Sequence, residues 1–404
     1  MSTIIRFFCP LLLVVVCAST ALAGAELKIN EEAKINLGFR LQTLYLTQDR
    51  DLDGDGDFES HDDFKIRRAR LRLGADVTKQ IGIFLQTEFS EDAAAGGDVR
   101  MIDAFVQLKP HKLANIFIGE NMAPGPRQTL TSSGALLALD RPGITYKSLT
   151  WGARAVTQFA NTTYADADSG LRGDVDVRDT GITLFGTHSF NAALHVKYYL
   201  GIYDGIQQAD ADDERVAGRL QVNFFEAEEA YYELSTYLGK KKTVALGAAF
   251  DRQASVAADL AGGSDADYAL YSVDLFADYP LGPGSVTFEA AYTDLDLDGA
   301  TALDVAGDGS RLVDARQAQG DGYYLQAGYY INNMQPWAEY ESWEAAAASG
   351  KGSYDAYRVG FSYFLAGHNA NLKIGYEKMT ADALIGTSRE DSIETFAAGL
   401  FITY

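Results

Sequence analysis

The feature that most limits what this chain can fold into is the way its connections sort. About sixteen stretches of roughly ten residues alternate apolar with small or polar side chains, the period of a strand with two unlike faces. Between them the connections come alternately short and long. The short ones fall at 78–80, 110–112, 188–191, 280–283, 332–334 and 366–368; the long ones at 47–63, 91–98, 121–179, 204–213, 253–267, 295–321, 344–353 and 380–392. A soluble sandwich or propeller has no reason to gather its long connections at one end, whereas a transmembrane barrel has short turns on one side and long loops on the other. The last stretch, Ile393 to Tyr404, agrees: Phe396, Ala398, Leu400, Ile402 and Tyr404 share one parity. A strand with one greasy face and nothing after it leaves a bare edge unless the sheet closes on itself. The expected fold is all-β, a transmembrane antiparallel β-barrel of about sixteen strands.

The start of the chain fits the same destination. Arg6 precedes an apolar run, Phe7 to Val16, and Ala21-Leu22-Ala23 offers small residues for cleavage, so residues 1–23 read as a signal peptide and 24–404 as the barrel. Both cysteines, Cys9 and Cys17, lie in the removed segment, which leaves no thiol for a disulfide or a metal. Hydrophobic residues make up 47%, yet no later apolar run approaches the roughly 20 residues that a spanning helix needs. The net charge of −22 excludes nucleic acid as a partner, because phosphate binding wants a basic surface. Bacterial outer-membrane lipid and lipopolysaccharide are the expected surroundings.

Parity also assigns faces. Expected strands over 33–46 and 64–77 place Ile35, Leu37, Phe39 and Leu41, and then Ala69, Leu71, Leu73 and Ala75, toward lipid. Arg40, Arg68, Arg70 and Arg72 therefore turn inward, since each would cost about 2–4 kcal/mol in the lipid midplane. Arg40 should lie across the hairpin from Arg70, and Arg67 near the rim. Lys197, Arg215 and Arg219 extend this basic side. The same test places Asp274, Asp278, Glu289, Glu339 and Glu341 inward on the tenth to thirteenth strands, roughly opposite. A basic wall facing an acidic one sets a transverse field, focused by the low-dielectric surround. Glu88 and Asp103 fall near the arginines, so the same charges also read as a paired ladder that holds the wall without selecting a solute. Arginine suits either task, because its planar donors match carboxylate and phosphate alike.

Other chemistry is thin. Asp51, Asp53, Asp55, Asp57, Glu59 and Asp62 follow the oxygen-ligand spacing of a calcium loop, with Asp at the last position in place of Glu. Calcium at this outer loop is the one cofactor the sequence suggests, set against an ordinary solvated acidic loop. The histidines are scattered, and there is no P-loop, nucleophile elbow or zinc-type His-Glu motif, so nothing here reads as an enzyme. The segment 226–241 is open to an extra hairpin or a short helix.

Several stretches resemble one family, the phosphate-selective porins O and P. They are Phe64-Lys65-Ile66-Arg67-Arg68-Ala69-Arg70-Leu71-Arg72-Leu73-Gly74, Asp103-Ala104-Phe105-Val106, Leu139-Asp140-Arg141-Pro142, Arg178-Asp179-Thr180-Gly181-Ile182 and Tyr199-Leu200-Gly201-Ile202-Tyr203-Asp204-Gly205. The resemblance implies a sixteen-stranded, usually trimeric pore whose long third loop, here 122–178, folds into the lumen and narrows it. The apolar patch Gly134 to Leu139 is suited to packing on the inner wall, part of the loop around 151–160 is open to a strand or helix, and Arg127, Arg141 and Lys147 are the constriction-loop bases. The function it implies is passive diffusion of small anionic or neutral solutes through a homotrimer, with a lean to anions such as phosphate. The alternatives are a non-conducting surface or scaffold barrel, an adhesin or a sleeve for a partner, and an outer-membrane hydrolase.

Overall fold

Sixteen long strands close a single antiparallel ring. In the computed structural model the described residues are 24–50, 59–89, 99–148, 177–206, 213–260, 265–304, 312–313, 315–346, 352–381 and 392–404. The expected leader, 1–23, lies outside them. The strands are β1 Lys34–Arg50, β2 Glu59–Asp76, β3 Ile81–Glu88, β4 Arg100–His111, β5 Ala114–Met122, β6 Arg178–Asn191, β7 Leu194–Tyr203 and β8 Arg215–Phe225. They continue as β9 Thr243–Asp259, β10 Asp265–Leu281, β11 Gly284–Asp296, β12 Gly320–Tyr330, β13 Met334–Ala345, β14 Tyr354–Phe364, β15 Ala370–Ala381 and β16 Ser392–Thr403.

Closure is made by β16 on β1, with Thr403 opposite Arg40 and Thr395 opposite Gln48. Tyr404 N–H donates to Phe39 O at 2.7 Å, and Phe39 N–H donates back to Tyr404 O at 2.9 Å. Below that point the short strand Ala25–Lys28 continues the pairing of β1. Every long strand thus has two neighbours, which is how a sheet satisfies its backbone in hydrocarbon. Alternation then sorts the faces: Leu220, Leu246 and Val273 are about half exposed on the outside, while Gln221, Asp274 and Glu289 are buried within.

The ladders run further than the alternation does. β1 and β2 pair from Lys34 with Asp76 up to Arg50 with Glu59, and β9 and β10 up to Ala258 with Asp265. Above the lipid both faces are wet, so pairing continues where the hydrophobic period has stopped. The connection after β11 adds two small strands, Leu303–Asp304 and Leu312–Val313, and one helical turn, Ala315–Ala318; the first pairs with the end of β9.

Two expectations need correction. The β1–β2 ladder has a bulge between Gln42 and Thr43, where Gln42 pairs with Arg68 and Thr43 with Ile66. Arg67 is the extra residue, and it turns inward beside Arg68 rather than standing at the rim, as bulges re-aim a side chain. The 226–241 segment forms neither a hairpin nor a helix; it runs irregularly, and most of its residues from Tyr231 to Leu238 are buried.

Candidate functional site

The inner wall of β1 and β2 carries the densest set of cations among the described residues. Arg40 pairs with Arg70 in the ladder and Gly38 with Arg72, which stacks guanidinia along one stripe. The start of the 122–178 connection lies against them. Arg40 Nη1 donates to Ser133 Oγ at 2.6 Å and Nη2 to Ser132 Oγ at 3.3 Å, while Gln42 Nε2 donates to Ser133 O at 2.6 Å. Gly134 permits this approach, since a Cβ there would sit 2.6 Å from Arg40 Nη2. Arg67 and Arg68 grip Asp140 of the same connection at 2.6 and 2.8 Å. Burial opposes the charge of Asp140, but the two arginines outweigh it and hold the carboxyl well below its usual range. Arg70 is taken by Glu88, its ladder neighbour on β3. Arg40 and Arg72 differ: neither has a carboxylate within ion-pair distance among the described residues, and the Nε of each lacks a hydrogen-bond partner.

The other expected bases are matched, which corrects the picture of a basic side extended through β7 and β8. Lys197 meets Glu233 at 2.6 Å, Arg215 meets Asp251 at 2.5 Å and Asp179 at 3.1 Å, and Arg219 meets Asp274 at 2.5 Å. The acidic wall is engaged as well. Glu339 and Glu341 both reach Arg358 at 2.6 Å, and Glu341 also accepts from Gly143 N and Ile144 N at 2.7 Å, so it caps a 3-10 turn, Gly143–Lys147. Glu289 accepts from Gln128 and Tyr324; Asp278 accepts from Ser285 and Thr287. Asp103 takes Gln86 at 2.8 Å and Arg178 at 3.0 Å. Most of the interior is therefore charge-paired; Arg40 and Arg72 are exceptions on this wall, and elsewhere Lys373 meets backbone carbonyls and Asp278 meets hydroxyls.

A barrel of sixteen strands with arginines along one inner stripe fits what the comparisons find. The model of the phosphate-selective porin O and P family matches residues 35–381. The chain belongs to that family. An uncharacterised protein of Aquifex aeolicus is 23% identical over 363 residues, covering 81% of this chain and 77% of its own. Among solved structures, the anion-selective porin from Comamonas acidovorans has a TM-score of 0.59 at 14% identity, covering 92% of this chain and all of that one, 100%. OmpF of Salmonella typhi, in complex with daunomycin, has a TM-score of 0.57 at 15% identity over 94% of this chain and 100% of that one. Those two likenesses speak to the fold. With the family established, the protein is an outer-membrane porin, a channel rather than an enzyme.

In this porin Arg127, Arg141 and Lys147, the bases among residues 122–148, are bound up in the placement of the connection itself. Arg127, on the helical turn α1 (Arg127–Leu130), binds Glu228 through both Nη atoms at 3.0 and 2.7 Å. Arg141 Nε donates to Gln128 O at 2.8 Å; burial, with Arg68 nearby, pushes its guanidinium down to about 9. Lys147 lies over the Trp343 ring at 4.6 Å. Leu137, Ala138 and Leu139 pack on Leu44, Leu46, Trp337 and Phe401, and Lys373 donates to the carbonyl of Ala138 at 2.7 Å. Residues 149–176 of the connection, including the stretch around 151–160, lie outside the described residues.

Asp140, Glu228 and Glu233 bring further interior charge from connections that strand parity does not reach. Asp140 had a signal, the Leu139-Asp140-Arg141-Pro142 stretch; Glu228 and Glu233 had none. Of the calcium-loop residues, Asp51, Asp53, Asp55 and Asp57 lie outside the described residues, Glu59 is exposed, and Asp62 accepts from Thr47 Oγ1 at 2.7 Å.

Proposed function

We propose that this porin passes small solutes by diffusion and favours anions, phosphate being one candidate. What carries this is the pair Arg40 and Arg72, inward guanidinia with spare donors and no carboxylate at ion-pair distance among the described residues, in a wall where Arg215 and Arg219 are matched. An anion passing about 4 Å from one such charge gains about 4 kcal/mol at an effective dielectric near 20, less after screening by salt. The Comamonas acidovorans protein of similar fold is anion-selective, which lends support. The described start of the 122–178 connection, held on Arg40 by Ser132 and Ser133, is the segment proposed to narrow the pore.

Three finer points complete the proposal. The porin assembles as a homotrimer, as a trimer form of OmpT of Vibrio cholerae with a TM-score of 0.51 suggests by fold. The leader is cut after Ala23, so that the mature chain starts at Gly24. The outer face sits in outer-membrane lipid with lipopolysaccharide around its long loops.

The test is the reversal potential of Arg40→Gln/Arg72→Gln in a planar bilayer under a salt gradient. The anion-to-cation permeability ratio should fall several-fold while barrel formation, read from heat-shifted gel mobility, is kept. An unchanged ratio would remove the anion preference from this wall.

A further inference from the structure

The connection between β8 and β9 is unlike the other turns at its end of the barrel. The rest are tight, 112–113, 192–193 and 282–283 among them, whereas 226–242 is long and turns into the lumen. There it pairs with the inward loop through backbone, where Glu233 N–H donates to Leu130 O at 3.0 Å, Ser132 N–H to Glu233 O at 2.9 Å and Ser235 N–H to Ala135 O at 3.0 Å, and through side chains, where Arg127 meets Glu228 at 2.7 Å and Gln128 Nε2 donates to Ser235 Oγ at 2.8 Å.

Its contacts cross the bore. On one arc Lys197 Nζ of β7 donates to Ala230 O at 2.8 Å, and Tyr199 OH to Tyr231 O at 2.8 Å. Across the lumen Gln326 of β12 reaches Ser235 at 3.3 Å and Gln335 of β13 reaches Thr236 at 3.1 Å. His368, in the turn after β14, bonds Thr236 O at 2.9 Å. The strap touches both arcs and bears on α1 through Glu228 and Arg127, so it spans this half of the lumen. Resting on the porin assignment and on diffusion through this bore, we propose that 226–242 is a latch: docked, it closes the short-turn half of the pore, and it swings away for a solute to pass, with Glu233 as the residue that holds it.

The character of the dock supports release. Its apolar seat is small, with Tyr231 set among Phe117, Phe185 and Tyr199 at 4.7 to 5.2 Å between ring centroids. Tyr237 adds a ring against Phe276 at 6.1 Å and Leu238 is buried, and the rest of the dock is polar. Glu233 is fully buried and held by two cations, Lys197 at 2.6 Å and Arg127 at 3.7 Å. Arg127 is shared with Glu228 and Glu289. Three carboxylates sharing one guanidinium out of water narrow the gap between docked and released states. Thr131 and Glu233 form the only β-bridge between the latch and the inward loop among the described residues; release breaks it together with the Arg127–Glu228 pair and the Gln128–Ser235 bond, and leaves the strand ladders of the wall intact.

Thr236 and Thr287 of β11 give a way to lock it, since their hydroxyls lie 3.2 Å apart. The only cysteines of the chain are Cys9 and Cys17, both in the leader. In single-channel recordings, oxidised Thr236→Cys/Thr287→Cys should lose its openings, and dithiothreitol should restore them. Replacing 228–236 by a short Gly-Ser turn should raise unit conductance several-fold. Oxidised and reduced channels that conduct alike, or a folded deletion variant with the unit conductance of the wild type, would overturn the latch. If the deletion variant forms no barrel, the cysteine pair decides alone. Failure of the anion preference is seen separately, as the unmoved reversal potential of Arg40→Gln/Arg72→Gln, and leaves these conductance ratios as they are.

Discussion

Arg40 and Arg70 face each other directly across the β1–β2 ladder, yet only Arg70 is neutralised. Glu88, the ladder partner of Arg70 on β3, takes its Nε, while Arg40 reaches the hydroxyls of Ser132 and Ser133. One carboxylate thus sets how many free positive charges this wall shows. Glu88→Gln should release Arg70 and move the reversal potential further toward anions, opposite in sign to Arg40→Gln/Arg72→Gln. A shift toward cations in Glu88→Gln would mean that the stripe does not set ion preference.

The Arg219–Asp274 pair has a different task. Both side chains are fully buried and mutually bonded, so removing one leaves the other as an uncompensated charge. Arg219→Met should destabilise the barrel by about 3–5 kcal/mol in urea unfolding from lipid vesicles. Arg219→Met/Asp274→Leu should recover most of that. The double variant should not move the reversal potential, because the pair has no net charge to lose. A large potential shift in the double variant would assign the pair a part in selectivity.

The barrel was legible because lipid enforces it. A one-residue slip would turn Arg68, Arg70 and Arg72 into hydrocarbon, so parity alone places them, and the structure has them inward. Arg67 was not legible, since a bulge shifts parity by one and Arg67-Arg68 reads the same on either side of it. The pairing of charges was hidden for a related reason. Periodicity reports which face a side chain takes, while Asp140 and Glu233 arrive from irregular connections that fold inward and have no period to read. Glu226 to Tyr237 is rich in acids and aromatics, a composition equally at home in a solvated turn.

The lipid face offers a test of the register itself. Leu246 stands opposite Val222 on β8 and Leu275 on β10, within the outward apolar run Val244, Leu246, Ala248 and Phe250, and is about half exposed. Leu246→Arg should cost about 2–4 kcal/mol of folding stability in vesicles. Leu246→Ala should cost clearly less, because lipid fills the space that the side chain leaves. Equal losses in the two variants would mean that Leu246 faces protein.

His368 gives the interior a pH response. Burial pushes its imidazole down to about 4 from an ordinary 6.5, against the help of Thr236 O, which accepts its Nε2–H at 2.9 Å. The charged ring is therefore disfavoured in the folded barrel. Above pH 6.5 the ring is neutral in both folded and unfolded chains, and its full contribution is present. As pH falls through 6.5 the unfolded chain takes up a proton that the folded one refuses, so stability drops, and the loss is complete near pH 4. The size is at most about 3 kcal/mol, and less for a ring that keeps some contact with water. His368→Gln should be less stable than the parent at pH 8 through the lost packing on Phe364, but its stability between pH 6.5 and 4 should fall less steeply. Urea midpoints measured across that range decide it: parallel curves for parent and variant would place the proton uptake on another group.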